Sequence, residues 1–262
     1  VWRIGYMKRK YKNYIVKEDY FKRWSHDMAY VLGFIVADGC LRNDGYYVKI
    51  EVAPKDISIL EFICEQITPD YELKYTKRGT EVRWYPSSKE LKNDLMKFGV
   101  IPAKTGKEVV PKQLTKTYLW DFIRGYFDGD GTVNDCCVST TCNSREFLEK
   151  LKEVTSLGYI QQGKPNCNWI IEEKLSLRNF RDNLYKNGSF FFERKKDLMD
   201  LLVDWVPDKT GHFSLEEDQF IMENYCTMTR REIAINLGRK AASIKNRMRK
   251  LNIRQRGVLS VE

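Results

Sequence analysis

Histidine is nearly absent from this chain: His26 and His212 are the only two among 262 residues. Chemistry that depends on paired histidines, as bases or as zinc ligands, therefore has little to draw on. The seven cysteines (Cys40, Cys64, Cys136, Cys137, Cys142, Cys167 and Cys226) are odd in number and form no CxxC pair. Cys136, Cys137 and Cys142 with Cys167 are the sole zinc candidates, and free, mostly buried thiols in a reducing compartment account for them better. Long apolar runs are missing as well, and no stretch approaches the roughly 20 residues that span a bilayer. The opening residues carry charge without an apolar core segment, so a secretory signal is not expected and a non-secreted, cytoplasmic protein is.

What the chain has in surplus is positive charge, and its placement matters more than its sum of +9. Residues 1–24 hold eight Lys/Arg against two acids, and residues 207–262 hold eleven against seven. That leaves 26 bases and 27 acids between them, a body near neutrality with basic ends. Basic ends favour a polyanion, because each neutralised phosphate releases counterions. A solvated basic surface is the plain alternative. The hydrophobic content of 42% is enough for one large core or two moderate ones.

Comparing the chain with itself reveals a repeat. Residues 31–39 read VLGFIVADG and residues 123–131 read IRGYFDGDG, an offset of 92, with Gly third, Asp eighth and Gly ninth in both. Downstream, each copy has a strand followed by a helix-like stretch, then a strand centred on a tryptophan, Trp84 or Trp169. A helical stretch ending in glycine comes next, at 93–99 and 182–188, and then a basic residue, Lys104 or Lys195. Asp38 to Lys104 spans 66 residues and Asp130 to Lys195 spans 65. The chain reads as two fused, similar halves, each ordered helix, two strands, helix, two strands, helix.

Strict alternation marks the strands. Val48, Ile50 and Val52 share one side and Tyr47, Lys49 and Glu51 the other; Val82 and Trp84 oppose Glu81, Arg83 and Tyr85. Such sheets have one buried and one polar face. Ser25 is a fitting N-cap for the first motif helix. Along that helix Ala29, Gly33 and Ala37 form a stripe of small residues, matched by Gly125 and Gly129 in the second. Glycine within a helix costs about 0.5–1 kcal/mol relative to alanine, and close helix–helix packing is a reason to accept that cost. Packing of that kind would carry Asp38 and Asp130 to neighbouring points. Two adjacent carboxylates repel unless a proton or a cation intervenes, and a hard divalent ion such as Mg²⁺ suits carboxylate and phosphate oxygens together. A lone Asp-Gly would be read as a turn; two copies at matched spacing are not.

At these residues the sequence resembles the LAGLIDADG homing endonucleases in their single-chain, two-motif form, over roughly residues 25–206. The resemblance implies an α+β fold of two pseudo-symmetric αββαββα half-domains forming a DNA-binding saddle, with the motif helices at the interface. It implies cleavage of both strands of a long double-stranded DNA site by metal-dependent hydrolysis, leaving 3′ overhangs. The cofactor it implies is Mg²⁺ or Mn²⁺, with Ca²⁺ as a non-activating substitute. Carried over, Asp38 and Asp130 become metal ligands, Gly39 and Gly131 supply carbonyls nearby, and Lys104 and Lys195 orient the attacking water. Lys196 competes with Lys195, because the ERKK register is ambiguous by one. The sixth motif position differs between copies, Val36 against Asp128, and Asp128 receives no metal role.

Base contacts are expected from the polar strand faces: Arg42, Tyr47, Lys49, Glu51, Lys74, Thr76, Lys77, Arg83 and Tyr85 in the first half. In the second they are Asn134, Ser139, Thr141, Gln161, Gln162, Lys164, Asn166 and Asn168. The expected division is an arm at 1–24, halves at 25–110 and 111–206, a linker at 207–213 and a small helical unit at 214–256. That unit carries capping boxes at Ser214/Glu217 and Thr229/Glu232 and a turn at Leu237-Gly238. It resembles a Myb-like helix-turn-helix whose last helix would offer Lys240, Ser243, Lys245, Asn246, Arg247 and Arg249 to DNA. The arm, with Trp2, Tyr6, Tyr11 and Tyr14, lies on DNA or packs on the body. The expected reading is a monomeric, nucleoid-associated enzyme. A non-catalytic DNA-binding regulator and a maturase that binds intron RNA are the alternatives.

Overall fold

The computed structural model describes residues 14–253. Trp2, Tyr6 and Tyr11 of the arm, and Arg254 and Arg256, lie outside them. The fold is α+β, with two four-stranded antiparallel sheets and ten α-helices among the described residues. The first half runs α1 (His26–Asp38), β1 (Cys40–Leu41), β2 (Val48–Val52), α2 (Ile57–Ile67), β3 (Lys74–Tyr75), β4 (Val82–Trp84) and α3 (Lys89–Lys97). The second runs α4 (Leu119–Asp130), β5 (Gly131–Val133), β6 (Val138–Cys142), α5 (Arg145–Thr155), β7 (Tyr159–Gln162), β8 (Cys167–Ile171) and α6 (Lys174–Leu184). It then adds α7 (Glu193–Asp204), a helix without a counterpart in the first half.

The sheet orders β1-β2-β4-β3 and β5-β6-β8-β7 are the same arrangement used twice. Register repeats too: Ile50 faces Trp84 across β2–β4, and Thr140 faces Trp169 across β6–β8. Alternation decides which side packs, and β2, β6 and β8 each bury every second residue. A buried indole needs an acceptor. Trp84 Nε1 donates to Thr68 Oγ1 at 2.9 Å and Trp169 Nε1 to the Leu157 carbonyl at 2.8 Å, each just past the helix beneath its sheet. Serine caps start the helices. The Ser25, Ser88 and Ser144 hydroxyls accept from the amides of Met28, Leu91 and Phe147, satisfying donors that a helix start leaves orphaned.

One hydrophobic core runs through both halves. Tyr14, at the end of the arm, packs on the first half: its hydroxyl accepts from the Ser87 amide at 2.9 Å and its ring meets Tyr71 edge-on. After residue 206 come α8 (Leu215–Asn224), α9 (Arg230–Asn236) and α10 (Ala241–Lys250) around a separate small core of Ile221, Ile233, Leu237, Ile244 and Met248. Both capping boxes are formed, and Gly238 turns the chain into α10 at φ +63°, a conformation that glycine adopts without strain. No helix among the described residues is long and apolar enough to cross a membrane.

Candidate functional site

The site grows from the contact between α1 and α4. A Cβ added to Gly33 would sit 2.0 Å from the Phe122 carbonyl oxygen, and one added to Gly125 would sit 1.9 Å from that of Tyr30. Each helix thus lays its glycine against the backbone of the other, an approach no larger residue permits. Farther along, a Cβ at Gly129 would meet that of Ala37 at 2.4 Å and Asp38 Oδ2 at 3.2 Å. At the far ends of the helices, His26 Nδ1 lies 2.6 Å from Asp121 Oδ2, and buried Arg124 donates to Asp121 Oδ1 and to the Leu184 and Phe190 carbonyls. Backbone contact and this polar knot fix the pair along its length.

Both helices end on their aspartates, so this packing brings Asp38 and Asp130 together. Asp38 is exposed on its open side, while the protein crowding its other sides and the Asp130 charge push its pKa up to about 6. Burial raises the Asp130 pKa as well, with Lys104, a hydrogen bond from Tyr126 and Lys195 opposing. Two acids that resist ionisation beside each other call for added positive charge.

The two lysines reach this point differently. Lys104 follows α3 in a turn, and its ammonium donates to the Ala37 carbonyl at 2.7 Å. Lys195 lies in the first turn of α7, buried, and donates to the carbonyls of Phe127, Asp128 and Gly131, all at 2.7 Å. Burial lowers its pKa to about 8. An ammonium has three donors, and those of Lys195 are all taken up by the end of α4. The Gly131 carbonyl, expected near a metal, is one of the three that Lys195 engages. Lys196 points elsewhere, to Asp200 at 2.7 Å.

Asp128 is buried and joins the halves. Its Oδ2 accepts from Tyr30 Oη at 2.9 Å and from the Phe192 amide at 3.1 Å, while Oδ1 has no hydrogen-bond partner. Burial pushes its pKa up to about 6 against the pull of Lys195. A cavity of about 190 Å³ lies alongside, lined by Asp38, Glu51, Asp56, Asp128 and Arg194 among others. Arg194 on α7 reaches across to Asp56 at 2.8 Å. Arg194, Asp56 and Tyr30 carry no signal in the sequence, because Arg194 and Asp56 meet across 138 positions and Tyr30 meets Asp128 across 98. Among the described residues no three His, Cys, Asp or Glu side chains gather as a metal cluster. The seven cysteines are free.

The strand residues expected to face DNA fall on the polar sides of the two sheets and their turns, and many already hold one another. In the first half Tyr47 stacks on Tyr85 at 4.6 Å, Glu51 lies between Lys49 and Arg83, and Arg42 grips Asp44. Lys74 and Lys77 are exposed, whereas the Thr76 hydroxyl is buried without a partner. In the second half Thr141 donates to Asn168 Oδ1 at 2.7 Å and Asn134 to Ser139 at 3.3 Å. Gln162 accepts from Arg145 at 2.9 Å; Gln161 and Lys164 are exposed, and Asn166 is half-buried. On α10, Lys245, Asn246 and Arg249 are exposed, Lys240 caps its start, and Ser243 is half-buried. Arg247 is half-buried and held by Asp218 on α8. Arg239 is buried against Glu217, a structural pair.

A family model for a LAGLIDADG-like domain matches residues 117–183, from just before α4 into α6. The chain is 28% identical over 212 residues to the replication factor C small subunit of Methanocaldococcus jannaschii, covering 71% of this chain. It spans 11% of that protein's length. Among solved structures, it resembles I-SmaMI bound to an uncleaved DNA target in the presence of calcium ions, with a TM-score of 0.51 at 14% identity. That match covers 87% of this chain and 99% of the other. A similar likeness holds to the I-LtrWI LAGLIDADG homing endonuclease bound to target DNA, with a TM-score of 0.51 at 11% identity, over 88% and 98% of the two chains. Identities this low establish a shared two-lobed fold and nothing finer.

Proposed function

We propose that the protein is a site-specific DNA endonuclease that hydrolyses both strands of a duplex with a divalent cation, acting as a monomer because one chain supplies both halves. The observation that carries this reading is the pair Asp38 and Asp130, delivered together by glycine-packed helices between two sheets with polar outer faces. Their raised pKa values fit a site completed by positive charge. Asp38, Asp130 and the Gly39 carbonyl would hold Mg²⁺ or Mn²⁺, leaving coordination positions for phosphate oxygens and water. The bound ion would supply neutralisation of the charge that develops on the phosphodiester.

The chain's own groups do the remaining work. Lys104 engages one carbonyl and keeps two N–H donors to orient water or a phosphate oxygen. Lys195 fixes the end of α4, so that Asp130 stays in place. The polar strand faces would read base edges, and residues 214–253 would act as a helix-turn-helix lengthening the contacted site. I-SmaMI bound to an uncleaved DNA target with calcium ions and the homing endonuclease I-LtrWI bound to target DNA support this reading.

Selection of cleaved sequences from a randomised plasmid library in Mg²⁺ tests it and yields the target together with the activity. Linearisation of the selected plasmid is expected. Asp38→Asn or Asp130→Asn is expected to abolish cutting while binding persists. Binding without a cut in either Mg²⁺ or Mn²⁺ would replace the nuclease with a DNA-binding regulator.

A further inference from the structure

A second cavity lies away from the paired acids. It is an open cleft of about 610 Å³ between the second half and the three-helix unit. Val133 and Asp135, at the end of β5 and in the turn beyond, form its body side. Arg230 and Arg231 at the start of α9, with Lys245 and Arg249 on α10, form the other. Lys245 and Arg249 are four residues apart, hence on one face of α10, and both are exposed. Four cations therefore face one acid, Asp135, and Arg230 lies 3.6 Å from it. Arg231 donates to the Asn134 carbonyl at 2.7 Å and has no carboxylate in hydrogen-bond contact. Burial pulls its pKa down, with Asp135 opposing.

Gathering like charges in one cleft is unfavourable unless an anion completes it. The other arginines of this unit differ: Arg239 and Arg247 are each neutralised by an acid of α8. Among the described residues Arg231, Lys245 and Arg249 in the cleft have no such carboxylate partner. We propose that this cleft is a phosphodiester clamp, seating backbone phosphates of duplex DNA between the second half and the helical unit. β5 leads straight from Asp130 to Val133. At roughly 3.3 Å per residue the clamp lies about 10 Å along the strand from the paired acids, the axial rise of about three base pairs. One duplex reaches both, and the docked arginines hold the helical unit at a fixed distance from the cut. The inference rests on the DNA-binding part of the proposed function and not on cleavage.

Phosphate contacts are independent of sequence, so a 40-base-pair duplex of arbitrary sequence serves as probe, without divalent metal and with the full chain. Lys245→Ala/Arg249→Ala is expected to weaken binding at least tenfold near physiological salt and to lower the slope of log affinity against log salt by about two. Both side chains are exposed, so the melting temperature is expected to hold. Lys150→Ala/Lys152→Ala on α5 removes equal charge outside the cleft and is expected to change affinity less than twofold. Wild-type affinity and slope in the α10 variant, or an equal loss in the α5 variant, would overturn the clamp. So would a wild-type chain that ignores duplex DNA, or one that prefers an RNA duplex. If the salt signature appears but no selected plasmid is cut, the clamp stands and the nuclease reading falls.

Discussion

Lys104 and Lys195 look equivalent in sequence spacing, yet their surroundings give them different work. A buried ammonium that satisfies three carbonyls is a helix clasp, and removing it costs about 1–3 kcal/mol for each acceptor left unpaired, although the Phe127 carbonyl keeps the Gly131 amide. Lys195→Met is therefore expected to lower stability by about 2–4 kcal/mol in urea unfolding, and Lys104→Met by less than 1 kcal/mol. On an end-labelled selected target, Lys104→Met should slow one strand's cleavage at least 100-fold at unchanged stability. Equal, strand-specific losses with no stability change in either variant would make the two lysines alike. Asp38 supplies a pH test. Its folded pKa of about 6 lies above the ordinary 3.8, so the folded state binds the proton more tightly. Without metal its contribution to stability falls as pH rises between about 4 and 6. Asp38→Asn should match wild type near pH 4 and exceed it by about 1 kcal/mol at pH 7, after allowance for solvent screening. Added Mg²⁺ should reverse that order, and melting curves at the two pH values decide it. The paired acids were legible because their motif occurs twice. The clasp was not, since no spacing encodes which carbonyls an ammonium will meet.

At the scale of elements, the pattern of small residues carried the most information. Gly33 and Gly125 face backbone at about 2 Å from a would-be methyl, so Gly125→Ala must push α1 and α4 apart. Alanine gains about 1 kcal/mol in helix propensity, and overpacking opposes it by more. A net loss of about 2–4 kcal/mol in urea unfolding is expected, with weaker metal-dependent cutting because Asp38 and Asp130 separate. A neutral or stabilising outcome would show that the glycines do not set the helix distance. Strand alternation located the buried faces of β2 and β4, and serine before an apolar run located the start of α1. Helix α7 escaped notice, although Lys195, Met199 and Val203 repeat at four-residue intervals and all three are buried. The segment ahead of α7 also has a role only the fold reveals: Phe190 stacks on Phe62 of the first half at 4.7 Å, and Phe192 meets Phe34 edge-on. It stitches the halves together.

At the scale of the whole molecule, two cores of unequal size share one chain. The two-lobed body has a continuous core crossing both halves, whereas the three-helix unit relies on seven buried apolar residues. About forty residues bury too little surface to be firmly stable alone, so docking against the second half must contribute. Sequence revealed the unit's helices through its capping boxes but not its docking, which joins Arg231 to Asn134 across 97 positions. Calorimetry of the full chain is expected to show two transitions, with the helical unit melting first. Because the cleft lies between unit and body, a duplex bound there stabilises the docked arrangement by mass action. Adding a 40-base-pair duplex of arbitrary sequence without metal should raise the lower transition by several degrees, and raise it less as salt increases. A single transition, or a lower one that ignores DNA, would mean that unit and body unfold together or that the helical unit does not share the duplex.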